Sequence, residues 1–162
     1  MIQVRNGTFE TNSSSVHLLI IPKECNIKIP PKVFLVFKEY GWSSDVEDQA
    51  LNYVYQACVD QGKEELNKFF DYLKRKGIQE IYSPELKWKT DDDDGYTYVE
   101  NNDGYVDHSG EVPLDYLFTN ESLLDRFVFG GGWVVTGNDN SENCPSADSY
   151  DKNKYDILEK GN

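Results

Sequence analysis

From residue 90 to residue 125 the sequence contains no lysine and no arginine, while eleven acids fall there: Asp91, Asp92, Asp93, Asp94, Glu100, Asp103, Asp107, Glu111, Asp115, Glu121 and Asp125. A phosphate-processing enzyme needs a cation near its acids to hold the substrate, so the missing bases count against an enzyme acting in that third. Free nucleic acid and anionic membranes are poor partners for such a surface, and basic proteins are good ones. Cysteine is also scarce. Cys25, Cys58 and Cys144 are odd in number and lie far apart with no C-x-x-C pair, which fits a reducing compartment better than a disulfide scaffold. Together with only two histidines they form no zinc-ligand spacing. No apolar run approaches membrane-spanning length, and the first residues lack the charged-then-apolar pattern of a signal peptide. The asparagine glycosylation triplets are therefore without meaning, and a cytoplasmic protein, in a host cell, is the expectation.

Aromatics are plentiful. Eleven Tyr, eight Phe and three Trp in 162 residues can fill a core, so the chain is not read as disordered. The formal charge is −13, and its placement is lopsided. Residues 1–89 balance twelve bases against twelve acids, and residues 126–162 hold six acids against four bases. Nearly all the excess sits in the middle third.

Short strands are expected at Ile2–Val4 and Val16–Ile21, and the run Val33-Phe-Leu-Val-Phe37 reads as a buried strand. Ser44-Asp-Val-Glu47 has the form of a capping box opening a helix to about Asp60, with Val46, Ala50, Tyr53, Val54 and Ala57 on one face. After Gly62, Leu66, Phe69, Phe70 and Leu73 form an amphipathic stripe, closed by Lys74-Arg-Lys76 and Gly77. Strands follow at Ile78–Tyr82 and Glu85–Lys89. Tyr96–Val99 and Tyr105–Val106 flank Asn101-Asn-Asp-Gly104, which predicts a hairpin. Short helices are expected after Pro113 and Asn120, then a final strand at Trp133–Thr136. The sum is an α+β domain over 1–140, a mixed or antiparallel sheet with a helical pair packed on one face. A polar, loosely held tail is expected over 141–162, with Tyr155–Leu158 as a docking element.

Thr11, Asn12, Ser13, Ser14 and Ser15 run directly into the apolar block that begins at Val16, with His17 just inside it. Their hydroxyls, amide and backbone N–H groups suit an anion or nucleotide, and a serine with His17 as base suits covalent catalysis. Hydrogen bonding of a turn that launches the strand is the plainer alternative. Arg5, Gly7, Phe9, Glu10, Thr11, Asn12, Ser13, Ser14, Ser15 and His17 together resemble the N-terminal signature of uncharacterised proteins encoded by phages and mobile elements of Gram-positive bacteria. Val134-Val-Thr136 with Gly137-Asn-Asp-Asn140 is similar to a second stretch in that group. The resemblance carries no activity. It implies a genetic context in which accessory genes often defeat host defences.

Asp91–Asp94 does not fit a calcium loop: with Gly95 in sixth position Thr90 would be first, and with Gly104 sixth Gly110 would be twelfth. A looser cation site from Asp91, Asp93, Asp103 and Asp107 stays open as an alternative. The acids alternate with tyrosines rather than forming a low-complexity run, which points to carboxylates displayed on ordered structure. Such an array imitates a phosphate backbone, whose duplex carries one charge per roughly 1.7 Å. The leading expectation is a non-enzymatic acidic inhibitor, of the anti-CRISPR or anti-restriction kind, acting as a nucleic-acid mimic. Its contact residues would be Asp91, Asp92, Asp93, Asp94, Tyr96, Tyr98, Glu100, Asp103, Tyr105, Asp107 and Glu111. The expected partner is a basic nucleic-acid-handling host protein, with a CRISPR effector as one form, and no cofactor or metal is called for. The alternative is a small enzyme or nucleotide- or anion-binding protein using Thr11, Asn12, Ser13, Ser14, Ser15 and His17.

Overall fold

Ser15-Val-His-Leu-Leu-Ile-Ile-Pro22 forms strand β1, and every residue in it up to Ile21 is buried. A computed structural model describes residues 15–41, 48–142 and 144–160, and it shows why this strand is apolar on both sides. Leu19 and Ile21 face the main core, whereas Val16, Leu18 and Ile20 pack on the opposite side with Trp133, Val135, Tyr150, Tyr155 and Ile157. A strand covered on both faces has no use for alternation, so it reads as a continuous hydrophobic run.

β1 is also paired on both edges. The main sheet has the order β10-β1-β9-β4, antiparallel throughout, where β9 is Trp133–Asn138, β10 is Tyr155–Lys160 and β4 is Asp48–Gln49. Helix α1 (Ala50–Gln61) lies against this sheet and packs on α2 (Lys63–Arg75). The architecture is α+β with a packed helical pair. Asn52 to Val59 of α1 are all buried, because α2, the sheet, α4 (Glu121–Phe129) and several loops surround it. In α2 the expected stripe is in place: Leu66, Phe69 and Leu73 are buried and Phe70 is half-buried. Gly77 adopts φ 99° just past the helix end, a conformation that favours glycine.

Four expectations are corrected. Helix α1 begins at Ala50, because Asp48–Gln49 is taken into the sheet beside Trp133 and Val134. The capping-box residues 44–47 lie outside the described residues, as does the strand expected at 2–4. The run Val33–Phe37 is not buried throughout: β2 (Lys32–Phe34) pairs in parallel with β5 (Glu80–Tyr82) and buries Val33, with Leu35 beyond it, while Phe34 and Val36 stay exposed. Phe34 instead stacks on Tyr82, ring centroids 4.9 Å apart.

The predicted hairpin is displaced. β7 (Thr97–Val99) pairs with β6 (Trp88–Thr90), and β8 (Tyr105–Val106) pairs in parallel with β3 (Glu39–Tyr40). Asn101-Asn-Asp-Gly104 therefore does not turn back on β7. Its asparagines bind elsewhere, Asn101 to the Lys87 amide and Glu85 carbonyl, Asn102 to Gln56 and Asp60. A Cβ on Gly104 would collide with Gln56 and the Lys38 backbone, so the chain passes close to α1 only as glycine. Lastly, the segment expected to be loosely held is ordered over Tyr155–Lys160: the docking expected at Tyr155–Leu158 takes the form of β10, with six residues in register against β1.

Substitutions separate the two sides of the 33–37 run. Leu35→Ala, at a site 3 % exposed, is expected to cost about 2–4 kcal/mol in urea denaturation, whereas Phe34→Ala, at 65 % exposed, should cost under about 1 kcal/mol.

Candidate functional site

The acidic third divides into an exposed part and a neutralised part. Asp91–Asp94 forms the turn between β6 and β7, and all four side chains are exposed. The turn is built by its own carboxylates. Asp91 Oδ1 accepts the Asp93 amide at 2.8 Å, Asp94 Oδ1 accepts the Tyr96 amide at 2.8 Å, and Gly95 takes φ 74°. Asp92 and Asp93 make no side-chain hydrogen bond there, and none of the four aspartates has an ion-pair partner among the described residues. Behind the turn, Tyr96, just ahead of β7, and Tyr98 within it lie side by side, exposed, with rings nearly parallel at 6.4 Å.

This hairpin is anchored on α1. Tyr96 donates its hydroxyl to the Asp60 carbonyl, and the half-buried Asp60 carboxylate accepts from Gln56, Asn102 and the Val106 amide. Burial pushes the Asp60 carboxyl above its ordinary value, and those three hydrogen bonds oppose the shift.

Other acids are spent within the fold. Glu100 pairs with Lys89 at 2.8 Å. Glu121 and Asp125 on α4 meet Arg75 and Lys76 from the end of α2, and Asp125 also takes the Tyr72 hydroxyl at 2.6 Å. Arg75 and Lys76 hold the Glu121 carboxyl below its ordinary value. Asp103 and Tyr105 are exposed, but Tyr105 belongs to the β3–β8 pair, not to the hairpin. Asp107 is half-buried, with Oδ2 lacking a hydrogen-bond partner among the described residues, and Glu111 falls in the short 3-10 turn Ser109–Glu111. The structure thus brings Asp91–Asp94, Tyr96 and Tyr98 together and distributes the rest. Among the described residues no group of three His, Cys, Asp or Glu converges as a metal site, so Asp91, Asp93, Asp103 and Asp107 do not assemble for a cation.

A second region lies at the start of β1. Of the polar stretch, Thr11, Asn12, Ser13 and Ser14 lie outside the described residues, while Ser15 and His17 point from β1 to the helix side of the sheet. Cross-strand register sets Thr136 of β9 and Lys160 of β10 directly opposite His17, one on each side. Ser15 and His17 are 0 % exposed, Thr136 1 % and Lys160 2 %. Lys160 donates to Ser15 Oγ at 2.8 Å, and His17 Nδ1 lies 2.8 Å from the Tyr53 hydroxyl of α1. Tyr53 meets the edge of Tyr40, whose hydroxyl accepts from Asn52. Among the described residues, the buried His17 Nε2 has no hydrogen-bond partner. Burial first, then the charges of Lys160 and His108, lower its pKa from 6.5 to about 3, and burial raises that of Tyr53 well above its usual value.

Sequence reasoning reached Ser15 and His17 but not Tyr53, Thr136, Lys160 or His108. Tyr53 was visible only as a core position of a helix. Thr136 and Lys160 join the group through strand register, which a single sequence does not display.

His17 is neutral in the fold and basic when unfolded, so its contribution to stability is complete above about pH 6.5. It is lost as the pH falls from there toward about 3, because the unfolded state then binds the extra proton. In this window the chain should lose stability more steeply than a His17→Gln variant, by up to about 1.4 kcal/mol per pH unit. Denaturation at a series of pH values measures the difference, since all other groups titrate in both proteins. In comparisons with known proteins the chain matches no family model, no curated protein and no solved structure.

Proposed function

We propose that this chain is a non-enzymatic binding protein that occupies a basic, nucleic-acid-binding surface of a host nuclease or effector, as an anti-restriction or anti-CRISPR inhibitor does. The observation that carries the reading is the β6–β7 hairpin: four consecutive exposed carboxylates without ion-pair partners among the described residues, beside an exposed pair of parallel tyrosines. Charges already held by a turn lose little conformational freedom on binding. A focused negative tip also steers a basic partner toward it and makes the encounter sensitive to salt. Tyrosine rings add contact area at low entropic cost, in the place that bases hold beside phosphates. The likeness of residues 5–17 to phage and mobile-element proteins supports the anti-defence form.

The test uses the two aspartates the turn does not need. Asp92→Lys with Asp93→Lys leaves both capping carboxylates in place, so the melting temperature should stay unchanged. Binding to a basic nuclease retained from nucleic-acid-depleted lysate should weaken about tenfold or more and become less dependent on salt. Unchanged affinity in that variant would remove the hairpin from the interface.

A further inference from the structure

We propose that the outer edge of β5 is the interface of a two-fold symmetric dimer, in which the β5 strands of two copies of this chain pair antiparallel about Ile81. Backbone direction comes first. Glu80 donates its amide to the Pro31 carbonyl and the Tyr82 carbonyl accepts the Leu35 amide, so both residues turn their backbone toward β2. Backbone groups along a strand alternate between its two sides, so Ile81 and Ser83 turn theirs away. Among the described residues no strand other than β2 pairs with β5. Gln79, Glu80, Tyr82 and Ser83 are exposed and Ile81 is half-buried, which leaves that edge open. An open edge of this kind is a template for another strand.

Three features select a second copy as that strand. The first is register. The Gln79 amide is already held by the Pro31 carbonyl, and Pro84 has no amide to give, so a symmetric pair centres on Glu80, Ile81 or Tyr82. A centre on Glu80 sets two carboxylates face to face, which is unfavourable. A centre on Tyr82 sets Ile81 against the Ser83 hydroxyl and Glu80 against Pro84. A centre on Ile81 sets Ile81 against its own counterpart and each Tyr82 against the other chain's Glu80, the acceptor its hydroxyl already uses within the chain at 2.7 Å. The second feature is a groove of about 310 Å³ beside the edge, lined by Phe70 and Lys74 of α2 together with Ile78, Gln79, Ile81 and Ser83. Side chains directly opposite each other lie on one face of a sheet, so the second Ile81 enters this groove beside the first, against Phe70 and Ile78. The third is charge. β2 and β5 carry one base, Lys32, and one acid, Glu80, so the paired ribbons are neutral although the whole chain is not. Pairing joins two ribbons, each too small to stand alone, into a four-stranded sheet β2-β5-β5-β2. This edge is separate from the acidic hairpin, and neither depends on the other.

The test is sedimentation equilibrium of the full chain from micromolar to near-millimolar concentration, with amide hydrogen exchange read by NMR over the same range. The chain should dimerise, and the Ile81 amide should exchange more slowly as the concentration rises. Tyr82→Glu places two pairs of like charges across the axis and should weaken dimerisation about tenfold or more. Adding Glu80→Lys turns both pairs into opposite charges and should bring the dissociation constant back to within about threefold of the parent's. Both positions are exposed, so in dilute solution each variant should melt with the parent. The exchange measurement needs no variant and stands by itself if Tyr82→Glu does not fold. A chain that stays monomeric throughout overturns the proposal, whether or not a foreign strand takes the edge. So does a dimer in which Ile81 exchange is independent of concentration, one that Tyr82→Glu leaves intact, or one that Glu80→Lys does not restore.

Discussion

Burial of β1 on both faces and pairing on both its edges is the constraint from which the other layers take their places. Its helix-side residues give α1 a surface to pack on, and its far-side residues give Trp133, Tyr150 and Tyr155 theirs. α1 in turn is so enclosed that its polar residues must be satisfied from outside the helix. Asn52 accepts the Val36 amide, Gln56 accepts the Lys38 amide, and Asp60 accepts the Val106 amide. Val36 and Lys38 lie in a loop and Val106 on the two-residue strand β8, and buried amides need partners. Polar residues on a buried helix thus do the work of strand neighbours, holding the loop at 36–38 and the segment 102–106 against the core.

That arrangement explains how a small fold presents an acidic turn rigidly. The β6–β7 hairpin has two strands, too few to be stable alone. It gains order from α1 and α2, through Val99 in the core, Tyr96 on the Asp60 carbonyl and Lys63 of α2 over the Trp88 ring. Charge is handled with the same economy. The acids of α4 are matched by the basic end of α2, so like charges do not accumulate where helices pack. Asp91–Asp94, without ion-pair partners among the described residues, stand instead at the turn of a two-stranded ribbon.

Much of the fold was legible in the sequence because the strongest patterns are local. The stripe in α2, the solid run of β1 and the glycine after Lys76 each express a rule that needs no knowledge of the rest of the chain. The failures share another cause. Asn101–Gly104 has hairpin composition, but Gln56 and Asp60 compete for its amides from α1. Phe34 and Val36 look like core, but a two-stranded parallel ribbon is covered on one face only. β10 is half polar and looks like a tail until β1 offers it an edge. At the candidate sites the acidic tip could be read directly, because it is consecutive in sequence. The row Thr136–His17–Lys160 could not, because three strands from opposite ends of the chain compose it.

That row has a kinetic meaning as well. Ser15 and Lys160 are 145 residues apart, yet they close the same edge of the same sheet. Contacts of such separation are slow to form, since the entropy of a long loop must be spent before the pairing returns anything. Until β10 arrives, β1 offers an apolar strand with an open hydrogen-bonding edge, the kind of surface that pairs with other chains. On a ribosome, β1 must wait for nearly all of the chain described here to be made before that edge is sealed, which makes the interval of synthesis the period in which this protein is most exposed to misassembly.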